Sequence, residues 1–311
     1  MAKRLPLIRD RLFAGLAFFF AFLMLLLIGG MVYFLVDASV PAWRTFGPSF
    51  VTGQRWDAIR QVFGALPFIY GTLASSLLAL ILALPLGIGA AIFLAELAPP
   101  WVRVPLSYLI ELLAAVPSVV YGLWGLLVLA PALRSTVEPW LEQYLGFLPL
   151  FRGPAFGVGV LAAGAVLAIM ILPTICSVSR EVMLAVPDSQ REAMLALGAT
   201  RWETTYKVVL PYGRSGIIGA VVLGLGRALG ETMAVTMVIG NSLSMSASLL
   251  HPANSMASII VNEFAEAVSE LHLSALIGIA LILFVITLLL NAVARGLVRG
   301  AAGPSAGARR E

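Results

Sequence analysis

The chain has 311 residues, 60% of them hydrophobic and 12% charged, with a mean hydropathy of +0.98. A soluble domain carries about a quarter charged residues, so this composition cannot clothe a watery surface; and Cys176, His251 and His272, the whole complement of cysteine and histidine, exclude a disulfide framework and show no zinc or iron spacing. The net charge of +4 is dispersed among apolar runs instead of forming one basic stripe, which points to membrane topology and away from nucleic acid.

A helix crosses the hydrocarbon core with about 20 apolar residues. Six segments meet that length, at residues 12–36, 68–94, 104–129, 155–178, 215–240 and 273–294. The predicted fold class is an all-α polytopic membrane protein, residues 1–311 forming a single domain of six transmembrane helices. Ahead of the first span, Lys3, Arg4, Arg9 and Arg11 resemble the basic region of a signal peptide, but residues 12–36 exceed a hydrophobic signal core of about 7 to 15 residues and read as a retained anchor. Residues 37–67 and 131–154 read as short external loops at the interface. Pro85, Pro117 and Pro173 interrupt backbone hydrogen bonding within the second, third and fourth spans and kink them. Glu96 and Arg103 read as interfacial anchors, and Glu111 lies either on the pathway side or near the cytoplasmic end of its span.

Loops rich in Lys and Arg stay cytoplasmic. With the N-terminus inside, fourteen of the twenty basic residues, including Lys3, Arg4, Arg9, Arg299, Arg309 and Arg310, fall on inner segments. Both termini are therefore expected in the cytoplasm. Between the last two spans, Ile259, Ile260, Phe264, Val268 and Leu271 recur at helical spacing and predict a short amphipathic helix.

The longest inner loop, residues 179–214, is more charged than its surroundings. Asp188 reads as an N-cap, 190–197 as a helix ended by Gly198, and 201–210 as a second helix stopped by Pro211. Glu192 and Ala193, then Gly198, then Val208, Leu210 and Pro211 resemble the EAA loop of binding-cassette importer permeases, with Met194 in place of the second Ala and Val208 in place of Ile. By that resemblance the loop is a coupling helix seated in a separate ATPase, with Glu192, Ala193, Gly198, Leu210 and Pro211 as the coupling residues. No Gly-x-x-x-x-Gly-Lys-Ser/Thr phosphate loop occurs in the chain, so ATP and its magnesium belong to a partner.

The fifth span carries Arg227 and Glu231, and a charge at the bilayer centre costs about 2.5 to 3.5 kcal/mol even on insertion scales. Spaced four apart, they can share a helix face and pair, while Gly226 and Gly230 form a small-xxx-small step for close helix packing. One reading is a structural ion pair. The other places the planar arginine fork on a pathway for a tetrahedral oxyanion, with the carboxylate accepting the proton of hydrogen phosphate. Residues 223–235 resemble the fifth-span signature of the PstC family of bacterial phosphate-importer permeases, and residues 111–125 and 259–267 agree with it. That resemblance implies a type I importer permease in the bacterial inner membrane, with Arg227 and Glu231 lining the substrate pathway. It also implies a PstA-like sister permease, two PstB-like ATPase subunits and a PstS-like periplasmic phosphate-binding protein, with no cofactor held by this chain. The rival readings are a permease for sulfate, molybdate or phosphonate, an ion-gradient secondary transporter, and, more distantly, a membrane enzyme.

Overall fold

Each apolar run folds as a helix, because a single segment in hydrocarbon satisfies its backbone only by bonding to itself. The computed structural model describes residues 5–301; Lys3, Arg4, Arg309 and Arg310 lie outside the described residues, as do the side chains of Arg9 and Arg299. Six helices among the described residues are long and apolar enough to cross a membrane: Asp10–Phe46, Leu66–Leu97, Ser118–Leu145, Val160–Leu184, Arg201–Gly230 and Glu270–Gly296.

In chain order, α1 (Leu5–Phe46) runs through Pro41 well past residue 36. The short α2 (Ser49–Thr52) and an antiparallel hairpin of β1 (Trp56–Asp57) and β2 (Val62–Phe63) follow, with Trp56 opposite Phe63. Residues 37–67 are thus largely ordered structure and not a plain loop. The remaining helices are α3 (Leu66–Ile92), α4 (Pro100–Ala115), α5 (Ser118–Trp124), α6 (Ala130–Ala132), α7 (Glu138–Leu145), α8 (Val160–Leu184) and α9 (Asp188–Ala196). After them come α10 (Arg201–Thr204), α11 (Leu210–Gly230), α12 (Met233–Val238), α13 (Met256–Glu263) and α14 (Glu270–Ala301).

The third span differs most from expectation. Pro117 does not kink a continuous helix but breaks it: Val116 and Pro117 are extended, with ψ 128° and 141°, and the crossing helix begins only at Ser118. It then continues to Leu145, through residues that their polarity had marked as loop. Pro85 and Pro173, by contrast, remain inside unbroken helices. Nor does Pro211 stop the helix that begins at Arg201, which passes through it into α11. The expected amphipathic helix is α13, shorter than its apolar spacing suggested and with Met256, Ala257, Ser258 and Ile259 buried.

Four of the prolines share one local arrangement. The π-helical turns Phe93–Leu97, Gly125–Leu129, Leu133–Val137 and Thr205–Val209 are each followed two residues later by a proline, at 99, 131, 139 and 211. A proline lacks an N–H and clashes with the carbonyl four residues back. At Pro131, Pro139 and Pro211, where the helix runs on, the extra residue of the π turn widens the ladder and relieves that clash, whereas at Pro99 the helix has already ended with Ala98 extended. Where the first of these turns frees the Ala95 carbonyl, Arg103 donates to it at 3.3 Å.

The centre of the molecule is the contact of α3 with α8, lined by Ala79, Ala83, Ala162, Ala163 and Ala168. Small residues bring the two axes close: a Cβ at Gly164 would lie 2.6 Å from Leu78 Cδ2, and one at Gly87 3.1 Å from Ile175 Cγ2. A second cluster joins the end of α1, the hairpin, α13 and α14 around Phe50, Trp56, Phe63 and Phe68. A third joins the ends of α3 and α8 to the start of α11. Most of α1 stays outside these clusters, with its large apolar side chains exposed from Leu12 onward, as lipid contact requires.

Candidate functional site

The fifth span holds its two charged residues differently from the helical spacing. α11 ends at Gly230; Glu231 is extended, at φ −72° and ψ 127°, and α12 starts afresh at Met233. Arg227 and Glu231 therefore do not share a helix face and do not form an ion pair. Glu231 Oε1 instead accepts from the Ala234 backbone N–H at 3.2 Å, satisfying an orphan donor in the first turn of α12. Arg227 donates to Thr174 Oγ1 of α8 at 3.4 Å. That one long hydrogen bond to a neutral hydroxyl leaves most of the five donors of the fork for another acceptor. Both side chains are half-buried.

The break in the third span stands beside this one. α5 and α12, the short helices that follow the two breaks, pack on each other with almost no space: a Cβ at Gly122 would lie 2.7 Å from Met237 Sδ and 2.9 Å from Ala234 Cα. The Leu113 carbonyl at the end of α4 accepts from Val116 N–H at 3.3 Å and also from Tyr121 Oη at 2.7 Å, which fastens α5 to the helix it was separated from. A Cβ at Gly226 or Gly230 would meet no atom within 4 Å among the described residues; Gly226 lines a small recess with Leu290 and Asn291 of α14, whereas Gly230 is exposed.

The coupling segment has the predicted shape. α9 is closed by Gly198 at φ +83°, where Gly198 N donates to Leu195 O at 3.0 Å and Ala199 N to Met194 O at 3.1 Å. This paired closure needs a left-handed residue, hence glycine. Asp188 is the first helical residue, not the cap: Pro187, fixed near φ −60°, holds the extended cap position, and the Asp188 carboxylate pairs with Arg191 at 3.0 Å. Thr200 and Glu203 make a reciprocal capping box on α10, a Thr-x-x-Glu signal that the sequence carried and the motif comparison overlooked.

Glu192, Ala193 and Gly198 are exposed, as is Pro211, whereas Leu210 packs partly on the cluster at the base of α3 and α8. Leu197, Trp202 and Leu195 beside them are 83%, 59% and 46% exposed, an apolar surface on an otherwise charged loop. Sequence reasoning missed Arg191, which ties the start of α9 to Glu96 and gives that carboxylate a partner within the chain. Glu111 lies with Ser107, Ser177 and Arg180 around a small recess between α4 and α8.

Residues 83–302 match the profile of the binding-protein-dependent transport system inner membrane component family. The chain is 50% identical over 279 residues to the phosphate transport system permease protein PstC of Mesorhizobium japonicum, covering 88% of this chain and 85% of that one. It is 47% identical to the protein of the same name from Pasteurella multocida, over 93% and 91% of the two chains. Among solved structures, a bacterial transporter importing the acidic polysaccharide alginate aligns with a TM-score of 0.56 at 20% identity, over 94% of this chain and 96% of that one. The MetNI methionine transporter aligns with a TM-score of 0.56 at 17% identity, over 75% and 94%. The helical path thus follows the importer membrane subunits, and the sequence itself follows the phosphate permeases along most of its length. This chain belongs to the binding-protein-dependent inner-membrane transport components and, within them, to the family of PstC phosphate transport permeases.

Proposed function

We propose that this multi-pass membrane protein is the permease subunit of a bacterial inner-membrane importer of inorganic phosphate, and that Arg227 receives the anion. The observation that carries the reading is a half-buried arginine fork with a single long contact to Thr174, set beside the helix breaks of the third and fifth spans in a chain close to phosphate permeases over most of its length. A guanidinium offers planar, paired donors to a tetrahedral oxyanion, and partial occupation by a neutral hydroxyl leaves it available without fixing it elsewhere. Glu231, held on the neighbouring backbone and not on Arg227, keeps the local charge low enough for the anion to leave.

In this reading the chain pairs with a sister permease through the exposed end of the fifth span at Gly230, receives phosphate from a periplasmic binding protein, and has both termini in the cytoplasm. The segment from Glu192 to Pro211, with the apolar Leu195, Leu197 and Trp202 uncovered, seats on a separate ATPase that holds the ATP and magnesium. This chain catalyses no covalent step and carries no cofactor of its own.

The test is uptake of labelled phosphate by proteoliposomes containing this subunit with its sister permease, ATPase and binding protein. ATP-dependent accumulation that excess sulfate, molybdate or phosphonate fails to inhibit is the expected result. Uptake abolished by one of those anions at equal concentration would overturn the phosphate reading.

A further inference from the structure

α9 is the part of the molecule that the proposed function sets against the ATPase, yet it buries none of its own residues. Apolar packing therefore does not fix it to the membrane helices. What holds it is Arg191. The guanidinium donates to both carboxylate oxygens of Glu96, at 2.9 Å from Nη2 and 3.4 Å from Nε. It also donates to the Met183 carbonyl at 2.8 Å, to the Val186 carbonyl, and to Asp188 at 3.0 Å. These acceptors come from four segments: the π turn that ends α3, the last turn of α8, the connector that follows it, and the first turn of α9.

The pair is nearly withdrawn from water, with the Arg191 side chain 16% and the Glu96 side chain 12% exposed. Solvent screening is weak at such a site, and removing one partner leaves the other charge buried without compensation. A fork filled at every edge also has no freedom to pivot. The turn that carries Glu96 is in turn fastened to α4, because Arg103 donates to the Ala95 carbonyl at 3.3 Å. Displacement of the start of α9 is thereby delivered to the ends of α3, α8 and α4 together.

We propose that Arg191 is a positioning residue that transmits motion: its bidentate contact with Glu96 is the link by which a push on α9 reaches the second span. This rests on the reading of α9 as the ATPase-docking segment. The linkage predicts a separation of two quantities that a merely stabilising ion pair would not separate, namely ATP turnover and phosphate moved per ATP.

The experiment uses the complete complex in proteoliposomes, with Glu96→Gln and Arg191→Lys in a background carrying Gln190→Cys, an exposed position on α9, labelled with a benzophenone maleimide. Cys176 is buried and stays unlabelled. Photocrosslinking to the ATPase reports docking, while phosphate release and labelled phosphate uptake report turnover and transport. In both variants crosslinking and turnover are expected to stay within about twofold of the parent, while phosphate imported per ATP falls about tenfold or more, the scale of one lost charge-assisted hydrogen bond. Arg191→Lys keeps the cation and loses the fork, so it carries the comparison if Glu96→Gln fails to assemble. An unchanged transport-to-turnover ratio with docking intact would overturn the transmission role alone, as would loss of crosslinking in both variants, which would make the pair part of docking. Absence of crosslinking in the parent would overturn the docking reading and this inference with it.

Discussion

Thr174 of the fourth span and Arg227 of the fifth face each other at 3.4 Å, the one side-chain hydrogen bond that occupies the arginine among the described residues. The contact is long and its acceptor uncharged, so it orients the guanidinium without neutralising it. Replacing Arg227 with Lys keeps the charge but loses the paired donors. Phosphate uptake is expected to fall by about tenfold or more, the size of one lost charge-assisted hydrogen bond, with the complex still assembling. Vesicle uptake of labelled phosphate with co-purification of the partners checks both parts, and unchanged uptake would remove Arg227 from the pathway.

Glu231 caps α12 through Ala234 and is not locked to Arg227. Glu231→Gln retains an acceptor oxygen and is expected to leave thermal stability nearly unchanged while altering transport. Glu231→Ala strips the cap and should cost about 1 kcal/mol as well. Melting of the detergent-solubilised complex separates the two; equal stability of the Gln and Ala variants would refute the capping role.

At Gly198, φ is +83° and open space surrounds the Cα, so conformation and not crowding sets the tolerance. Asn reaches the left-handed region readily and β-branched residues do not. The expected order of ATP-coupled transport is Gly, then Asn, then Val far below, with Val costing about 1 to 2 kcal/mol in the loop. Coupling in the Val variant equal to that in the Asn variant would show that the turn is not needed.

Gly122 is different, because its limit is space: Met237 Sδ and Ala234 Cα stand 2.7 and 2.9 Å from where a Cβ would be. Gly122→Val is expected to destabilise the protein by about 1 to 3 kcal/mol through overpacking between α5 and α12. Gly230→Leu meets no neighbour within this chain and should leave the isolated subunit intact while weakening its association with the sister permease. Thermal melting of the subunit and pull-down of the partner distinguish these outcomes.

The residues that announce themselves in sequence are those whose signal is local. The six apolar runs and the Gly198 closure each lie within one stretch of chain, and the structure places a membrane-length helix at each run and the left-handed turn at Gly198, although the third and fifth runs are interrupted and Pro211 does not end its helix. Pro117 and Pro173 look alike in sequence, but one breaks its helix and the other does not; across the break at Pro117 the Leu113 carbonyl accepts from both Val116 N–H and Tyr121 Oη, a contact eight residues along that no local pattern announces. The expected Arg227 and Glu231 pair assumed a helix that runs on past Gly230, where the chain in fact turns extended. Glu96 and Arg191 stand 95 positions apart, so no local pattern could have joined them.

The two interruptions, at Val116 with Pro117 and at Glu231 with Thr232, have a mechanical corollary. α5, which opens the helix running to Leu145, and α12 close-pack at Gly122, and each follows the stem of its span after a stretch of extended backbone, with Tyr121 bonded back across the first interruption. Both helices also pack on α8, through Tyr121, Ala234, Val235 and Val238, so the fourth span backs the pair where the stem backbone does not. Arg227 belongs to a stem while Glu231 lies in the extended stretch beyond it, so cation and carboxylate are positioned by separate pieces of structure although they stand four places apart in the chain.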